Sequence, residues 1–243
     1  MGLDVARVVK RYGPRRALDG CEFAVPDGSV CALAGLNGSG KTTLLRAAAG
    51  QLPLDSGAVL VDGEVVRFAR PGPVSYLAQA KPLHLALRAA DVLGYAALLA
   101  GGRFDRVLGY GWLRRYDVDP AAVVGELSGG QQAQVALAAA VARKSSVVLL
   151  DEPMADLDPL AREQVAADLR EQAASGRVVL VASHATAELA SWIDYLVVID
   201  AGRTVLVGRA EQLSAAASLN EVALQALRAA RERREGPMTG GAA

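Results

Sequence analysis

Residues 30–50 have the sequence VCALAGLNGSGKTTLLRAAAG, which combines an apolar run, a glycine-rich loop and a helix-forming segment. Residues 30–34 form an apolar run of strand length, and residues 42–49 have the composition of a helix that ends at Gly50. Between them, residues 35–42 match the pattern GxxxxGK[ST]. The alternative is a glycine-rich turn that precedes a lysine by chance. The predicted strand before the pattern and the predicted helix after it favour a phosphate-binding loop in an α/β fold.

The residue types of this loop suit a bound polyphosphate. Its glycines let the backbone curl so that successive N–H groups point at phosphate oxygens, and the helix N-terminus adds partial positive charge. Lys41 supplies a full charge to the β- and γ-phosphates, and the Thr42 hydroxyl can ligate Mg²⁺. We expect the nucleotide to contact Gly35, Asn37, Gly38, Ser39, Gly40, Lys41, Thr42 and Thr43.

Two carboxylates follow a second apolar run, VVLLDEP at residues 147–153. A buried strand here would deliver Asp151 and Glu152 to the carboxyl edge of a parallel sheet, where ligands bind. Asp151 is suited to hold Mg²⁺ through water, and Glu152 to act as the general base that polarises the attacking water. A solvated acidic turn is the alternative, and the upstream loop argues against it.

A further motif, LSGGQQ, occupies residues 127–132. Ser128 is a good cap for a helix that runs through Val141. With Gly129 and Gly130 it offers a hydroxyl, unhindered N–H groups and a helix dipole end, which together make a second anion site. We include Gln131 in this site.

In this order, the three motifs resemble those of the nucleotide-binding subunit of an ATP-binding cassette (ABC) transporter, over about residues 3–208. The resemblance implies an α/β P-loop NTPase with a RecA-like parallel-sheet core, an N-terminal antiparallel β-subdomain and an inserted α-helical subdomain. It also implies hydrolysis of ATP with Mg²⁺. In that family the LSGGQ element faces the γ-phosphate held by a second ABC subunit, in a homodimer or heterodimer.

Four more residues acquire roles from the resemblance. His184 resembles the switch histidine that reaches the γ-phosphate, and Gln79 resembles the glutamine that touches Mg²⁺ and links the sheet to the helical subdomain. Tyr12 resembles the aromatic that stacks on adenine, although an ordinary strand tyrosine is the alternative, and Asp158 resembles an aspartate that crosses the dimer interface. The expected catalytic residues are Glu152, His184, Lys41 and Gln79, and the expected metal ligands are Thr42, Gln79 and Asp151.

Three positions depart from the family pattern. Gln134 and Ala139 stand where arginine is usual after the LSGGQ element, and Ala155 stands where serine is usual. None of these changes removes a phosphate or Mg²⁺ contact, so we expect any effect to fall on polar contacts between subdomains and on the ATPase rate.

The rest of the chain divides around these motifs. Short strands are predicted over residues 3–68, with a hairpin turn at Asp62-Gly63, and a helical subdomain over about 80–143. Asp158-Pro159 begins a helix on which Leu160, Val165 and Leu169 are predicted to share a face.

We predict one ABC domain at 1–217, followed at 218–243 by a C-terminal helix and a tail that is disordered from Glu232. A strand at 177–182, a helix from residue 185 and a hairpin near 201–202 complete the core, and the two cysteines, 21 and 31, read as small buried hydrophobes.

Composition excludes some classes of function. The 26 Lys and Arg residues balance 26 Asp and Glu residues, which disfavours a nucleic-acid partner. The N-terminus lacks a signal-peptide pattern, and the longest apolar run, residues 135–142, is far short of the roughly 20 residues that span a bilayer. We therefore expect a peripheral protein at the cytoplasmic face of the membrane, with transmembrane permease subunits on separate chains.

The leading hypothesis is an ATPase subunit that powers an exporter, and the export direction rests on analogy alone. The alternative is a non-transport ABC ATPase, such as an iron–sulfur assembly factor. A nucleotide-binding regulator without turnover is disfavoured by the presence of Lys41, Asp151, Glu152 and His184.

Overall fold

The computed structural model describes residues 2–70, 72–184, 186–215 and 217–235. The strands, in chain order, are β1 (Gly2–Tyr12), β2 (Arg15–Pro26), β3 (Val30–Ala34), β4 (Ser56–Val61), β5 (Glu64–Val65), β6 (Val74–Leu77), β7 (Val147–Asp151), β8 (Val178–Ser183), β9 (Tyr195–Asp200) and β10 (Arg203–Arg209). The helices are α1 (Lys41–Ala48), α2 (Ala89–Leu99), α3 (Arg106–Arg115), α4 (Gly129–Val141), α5 (Pro159–Ala174), α6 (Thr186–Leu189), α7 (Ala210–Leu213) and α8 (Leu219–Glu235), and a 3₁₀ turn spans Val124–Glu126.

The larger sheet forms the core, with the strand order β10-β9-β3-β8-β7-β6. Strands β6, β7, β8, β3 and β9 are mutually parallel, and β10 returns antiparallel beside β9. Every residue of β3, β7 and β8 is buried, because these continuous apolar runs are covered on both faces of the sheet. The predicted α/β core with a parallel sheet is confirmed.

The smaller sheet is antiparallel, in the order β2-β1-β4-β5. Asp62 and Gly63 both adopt positive φ, at 53° and 83°, which makes the two-residue hairpin turn predicted between β4 and β5. The buried face of this sheet shares an apolar core with α1 and with one face of the larger sheet. A threonine joins the two sheets, since the Thr204 hydroxyl of β10 accepts a hydrogen bond from the Glu22 amide of β2 at 3.0 Å.

The helical subdomain consists of α2, α3 and α4, and it contributes to a second apolar core on the other face of the larger sheet. Val165 and Leu169 of α5 join this core, whereas Leu160 is 65% exposed. The prediction for Leu160 is wrong for a geometric reason. An α-helix turns by about 100° per residue. Val165 and Leu169, which are four residues apart, therefore lie only about 40° apart around the helix axis. Leu160 and Val165, which are five residues apart, lie about 140° apart.

The C-terminal helix α8 packs on the same core through Leu219, Ala223 and Leu227, which recur at helical spacing. The helix continues to Glu235, so the prediction that disorder begins at Glu232 is wrong for residues 232–235. Arg234 supports this last turn through an ion pair with Asp200, at 2.7 Å. Residues 236–243 of the predicted tail lie outside the described residues.

Within the described ranges, every helix falls short of the length and apolar character that a bilayer crossing requires.

Candidate nucleotide-binding site

The loop between β3 and α1 is held in a conformation that requires glycine at two positions. Gly35 and Gly40 have φ values of +157° and +113°. A Cβ atom at Gly35 would lie 2.4 Å from the carbonyl oxygen of Ile199, and one at Gly40 would lie 2.6 Å from that of Ala17. Glycine therefore lets the loop lie against β9 and β2 while its central residues face outward.

The loop forms one wall of an open cleft of about 300 Å³. The cleft brings together ten of the residues predicted from sequence, which are Asn37, Gly38, Gly40, Lys41, Thr42, Thr43, Gln79, Asp151, Glu152 and His184. These residues lie at the carboxyl ends of β3, β6, β7 and β8 or in the segments that follow these strands. The carboxyl ends of the four strands meet at one edge of the parallel sheet. Ser39 is buried behind the loop instead, and its hydroxyl oxygen has no hydrogen-bond partner among the described residues.

Lys41 is 8% exposed and lies within the curve of the loop. Its ammonium donates to the carbonyl oxygens of Gly35, at 2.6 Å, and Leu36, at 3.4 Å. Burial lowers the pKa of Lys41, while the nearby carboxylates of Glu152 and Asp151 act in the opposite direction. The loop thus presents a cation beside two carboxylates, as metal-assisted binding of a polyphosphate requires.

Thr42 and Asp151 form a pair that suits a small hard cation. The Thr42 hydroxyl donates to a carboxylate oxygen of Asp151 at 2.8 Å. Burial raises the pKa of Asp151, and the hydrogen bond from Thr42 partly offsets this rise. Among the described residues, no group of three or more acidic, histidine or cysteine side chains is placed to hold a metal ion. Proteins usually hold Mg²⁺ by one or two carboxylates together with phosphate oxygens and water, and this pair would supply the protein's share of such a site.

The carboxylate of Glu152 is fixed by residues at the carboxyl end of the neighbouring strand β8. It accepts hydrogen bonds from the His184 amide, at 2.9 Å, and from the Ser183 hydroxyl, at 3.2 Å. The His184 imidazole nitrogen Nδ1 lies 2.8 Å from the same carboxylate. Glu152 also has a left-handed φ of 50°, a conformation that costs a non-glycine residue about 1–2 kcal/mol. An oriented carboxylate beside an imidazole at the mouth of a cleft is suited to proton transfer from water.

The LSGGQ element lies away from this cleft, at the start of α4. The Ser128 hydroxyl accepts a hydrogen bond from the Gln131 amide at 3.2 Å, and the Gln131 side chain accepts one from the Ser128 amide at 3.1 Å. This reciprocal capping box fixes the helix start and leaves Ser128 and Gly129 exposed. Within the described part of the chain, none of residues 128–131 lines the cleft.

Asp158 and Tyr12 also lie outside the described lining of the cleft. The exposed Asp158 caps α5 by accepting a hydrogen bond from the Ala161 amide at 2.9 Å. Tyr12 is 46% exposed at the end of β1, where the ammonium of Lys10 lies 5.7 Å from the centre of its ring. The predicted roles of both residues, at a dimer interface and against adenine, therefore stay predictions.

Gln134 shows what one departure from the family pattern does. It is 3% exposed, and its side-chain oxygen accepts a hydrogen bond at 2.9 Å from the indole N–H of Trp112 on α3. The position expected to carry arginine is therefore used inside the helical subdomain. Ala139 is half-buried against the core, and Ala155 is exposed.

Arg15 is a cleft residue that the sequence motifs do not identify. Its guanidinium lies 3.5 Å from the position that a Cβ of Gly38 would occupy, so it adds a second positive charge beside the loop. The only local signal for it is its place directly after the Gly13-Pro14 turn, in the hairpin that carries Tyr12.

Comparison with known proteins agrees with this geometry. A family model described as ABC transporter matches residues 18–155, more than half of the chain. The chain is 33% identical over 233 residues to the hypophosphite import ATP-binding protein HtxD of Stutzerimonas stutzeri, covering 86% of this chain and 67% of that protein. It is 32% identical over 218 residues to the Nod factor export ATP-binding protein I of Ralstonia nicotianae, covering 87% of this chain and 68% of that protein.

The fold is also shared with a solved structure described as the ATP binding subunit of an ABC transporter. That structure superposes with a TM-score of 0.82 at 24% identity, over 93% of this chain and 99% of that chain. Family, relatives and fold agree with the predicted ATP hydrolase. The chain therefore belongs to the ABC transporter family, as one of its nucleotide-binding ATPase subunits.

Proposed function

We propose that this chain binds MgATP in the cleft, hydrolyses it with Glu152 and powers an exporter whose membrane-spanning subunits are separate chains. The observation that carries the proposal is the convergence, in one cleft, of the loop lysine, the Thr42–Asp151 pair and the Glu152–His184 pair. Binding groups for a polyphosphate and a candidate base for water thus lie at adjacent strand ends.

The chemistry follows from these placements. The phosphates of ATP bind the loop amides and the ammonium of Lys41, and Thr42 and Asp151 hold Mg²⁺. When bound, Mg²⁺ neutralises charge on the phosphate oxygens. Glu152 accepts a proton from the attacking water, and His184 keeps its carboxylate oriented through the 2.8 Å contact. Gln79 reaches the same cleft from the segment after β6, and we assign it to contact with the metal and the water.

We place the LSGGQ element at the interface with a second ABC subunit. Its exposed serine and glycine present a hydroxyl and free N–H groups at a helix start, where an anion is favoured. Asp158 is exposed nearby, and the carbonyl oxygen of Asp156 lies 3.4 Å from where a Cβ of Gly130 would stand. These residues form one surface that would complete the nucleotide site of the other subunit.

A docking surface for the membrane partner is offered by an apolar groove of about 350 Å³ between the segment after β6 and the helices α2 and α4. Its lining includes Tyr95 and Leu99 of α2, which are 58% and 62% exposed, and Pro82 and Leu83 of the segment that follows Gln79. A partner seated here would contact the chain that leads directly to the cleft. With a membrane-spanning partner seated here, the protein would lie at the cytoplasmic face of a membrane.

The proposed direction, export, is supported by the similarity to the Nod factor export protein, while the similarity to the hypophosphite import protein favours the opposite. Purification of the tagged chain from detergent-solubilised membranes separates these cases. A polytopic membrane protein recovered alone supports export. Recovery of an additional extracytoplasmic binding protein would indicate import, and recovery with soluble proteins only would favour the alternative, an iron–sulfur assembly factor.

Glu152→Gln tests the assigned chemistry. We expect ATP binding to be retained, hydrolysis to fall by about 10²- to 10⁴-fold, and a dimer to accumulate in MgATP, as seen by light scattering after gel filtration. The matched control is Glu163→Gln, at an exposed position of α5. A Glu152→Gln protein that hydrolyses ATP at the wild-type rate would overturn the proposed base.

A further inference from the structure

A second, smaller cavity of about 150 Å³ lies behind Glu152, on the side away from the phosphate-binding loop. Its lining contains Glu152 and His184, and also Arg162 of α5 and Glu188 of α6. Neither Arg162 nor Glu188 lines the nucleotide cleft, so the smaller cavity places a charged pair beside the proposed base from outside that cleft.

The guanidinium of Arg162 contacts two separate segments of the chain. Its Nε donates to the carbonyl oxygen of Leu157 at 2.9 Å. Its terminal nitrogen donates to the carboxylate of Glu188 at 2.7 Å. Leu157 belongs to the segment that follows Glu152, and Glu188 lies on the short helix that follows His184. Arg162 therefore joins the two chain segments that carry the Glu152–His184 pair.

This link bears on catalysis because the carboxylate of Glu152 is held by the other segment. The hydrogen bonds from Ser183 and His184 come from the end of β8, while the backbone of Glu152 is fixed at the end of β7. Relative movement of the two segments would turn the carboxylate or break these bonds. A displacement of about 1 Å at a reacting group can reduce a rate by about 100-fold.

The small contribution that this ion pair can make to the stability of the fold argues against a role in stability alone. The side chains of Arg162 and Glu188 are 32% and 47% exposed, and ion pairs this exposed to solvent contribute little to the stability of a fold. The effect of removing the link should therefore appear in the geometry of the site more than in the free energy of unfolding.

We propose that Arg162 is a positioning residue for ATP hydrolysis, which holds the segment after His184 against the segment after Glu152. The inference rests on the proposed role of Glu152 as the base. Arg162 touches neither substrate nor water in this role, and acts through the orientation of the Glu152 carboxylate.

The test uses the full-length variants Arg162→Ala, Arg162→Lys and Glu188→Gln, with Arg170→Ala, an exposed arginine of the same helix, as the matched control. We expect kcat to fall about tenfold in Arg162→Ala, with KM and the Kd for ATP changed by less than about twofold. Arg162→Lys keeps the charge opposite Glu188 but not the fixed fork of donors, so it should recover only part of the rate. Amide exchange at His184 should be faster in Arg162→Ala, because its bond to Glu152 opens more often.

Combination with Glu152→Gln separates this inference from the proposed function. If Arg162 acts through Glu152, then adding Arg162→Ala to Glu152→Gln should cause no further loss of rate. A wild-type protein without hydrolysis, or a fully active Glu152→Gln protein, would overturn the proposed function and the inference with it. An Arg162→Ala protein with wild-type kcat, or a further loss in the double variant, would overturn the inference alone. If Arg162→Ala does not fold, as judged by circular dichroism, the same comparisons are decided by Arg162→Lys and Glu188→Gln.

Discussion

Arg177→Met should reduce the free energy of unfolding by about 2–4 kcal/mol, because the guanidinium of Arg177 donates hydrogen bonds to several backbone carbonyl groups. It donates to the backbone oxygens of Val141, Arg143 and Ser145 at 2.8, 2.8 and 2.9 Å. It also donates to the Gln172 side-chain oxygen at 2.7 Å and to the Ser145 hydroxyl at 2.8 Å. Burial lowers the pKa of Arg177 to about 10, so the side chain stays charged near neutral pH and the bonds are charge-assisted.

The magnitude follows from what methionine leaves behind. A hydrogen bond to a charged group contributes about 1.5–3 kcal/mol, but removal of the guanidinium also removes the cost of its partial burial. Three backbone carbonyls would each lose a donor, at about 1 kcal/mol each where water reaches them. The methionine side chain keeps part of the apolar contact. For a domain of this size, a loss of 2–4 kcal/mol lowers Tm by about 4–16 °C.

Urea unfolding followed by circular dichroism gives the free energy for wild type, Arg177→Met and Arg177→Lys. Arg177→Lys should lie between the other two, because an ammonium can reach only some of the five acceptors. Arg170→Met on the exposed face of α5 is the control for loss of charge alone. A change below about 0.5 kcal/mol in Arg177→Met would refute the reasoning, since surface substitutions without a structural role give values of that size.

Two other substitutions test local features. Gly40→Ala should lower Tm and abolish ATP binding that isothermal titration can measure. The added Cβ atom would lie 2.6 Å from the carbonyl oxygen of Ala17, and residue 40 has a φ of +113°. Unchanged ATP affinity would show that the loop tolerates a different path. Trp112→Phe should cost about 1–3 kcal/mol in urea unfolding, because the buried side chain of Gln134 would lose its hydrogen bond from the indole; equal stability would mean that water replaces the indole at no cost.

The motifs predicted the parallel core because they are local. The apolar runs that became β3, β7 and β8 are each followed directly by the residues that line the cleft, and strand ends in a parallel sheet meet at one edge. Short-range pattern was therefore enough to gather Lys41, Asp151 and Glu152, whereas His184 was assigned from the family resemblance and its place after a predicted strand. The prediction that the helix of the LSGGQ element is capped by Ser128 and runs through Val141 is also confirmed, and its start is encoded locally because the capping box lies within four residues.

Contacts between distant segments carried no comparable signal. Arg162 and Glu188 are 26 residues apart, and Arg177 meets acceptors up to 36 residues away. In the sequence alone, Arg162 is an ordinary helix residue and Arg177 an ordinary residue at the start of a strand. Their roles become visible only when the fold brings their hydrogen-bond acceptors close. Gln134, which stands where the family pattern has arginine, is a further example. Its hydrogen-bond partner, Trp112, lies on another helix, so the sequence around Gln134 does not indicate why glutamine suits this position.

The contacts of α4 connect the LSGGQ element to the proposed site of hydrolysis through strand β8. The helix is linked to α3 by the bond between Trp112 and Gln134, and the carbonyl oxygen of its last residue, Val141, accepts a hydrogen bond from Arg177, directly before β8. At its other end β8 supplies the hydroxyl of Ser183 and the amide of His184 that hold the Glu152 carboxylate. β8 is buried along its whole length, and close-packed interiors transmit strain. We therefore expect a movement of α4 relative to the core to act on the proposed base of its own cleft as well as on the surface proposed to meet a second subunit.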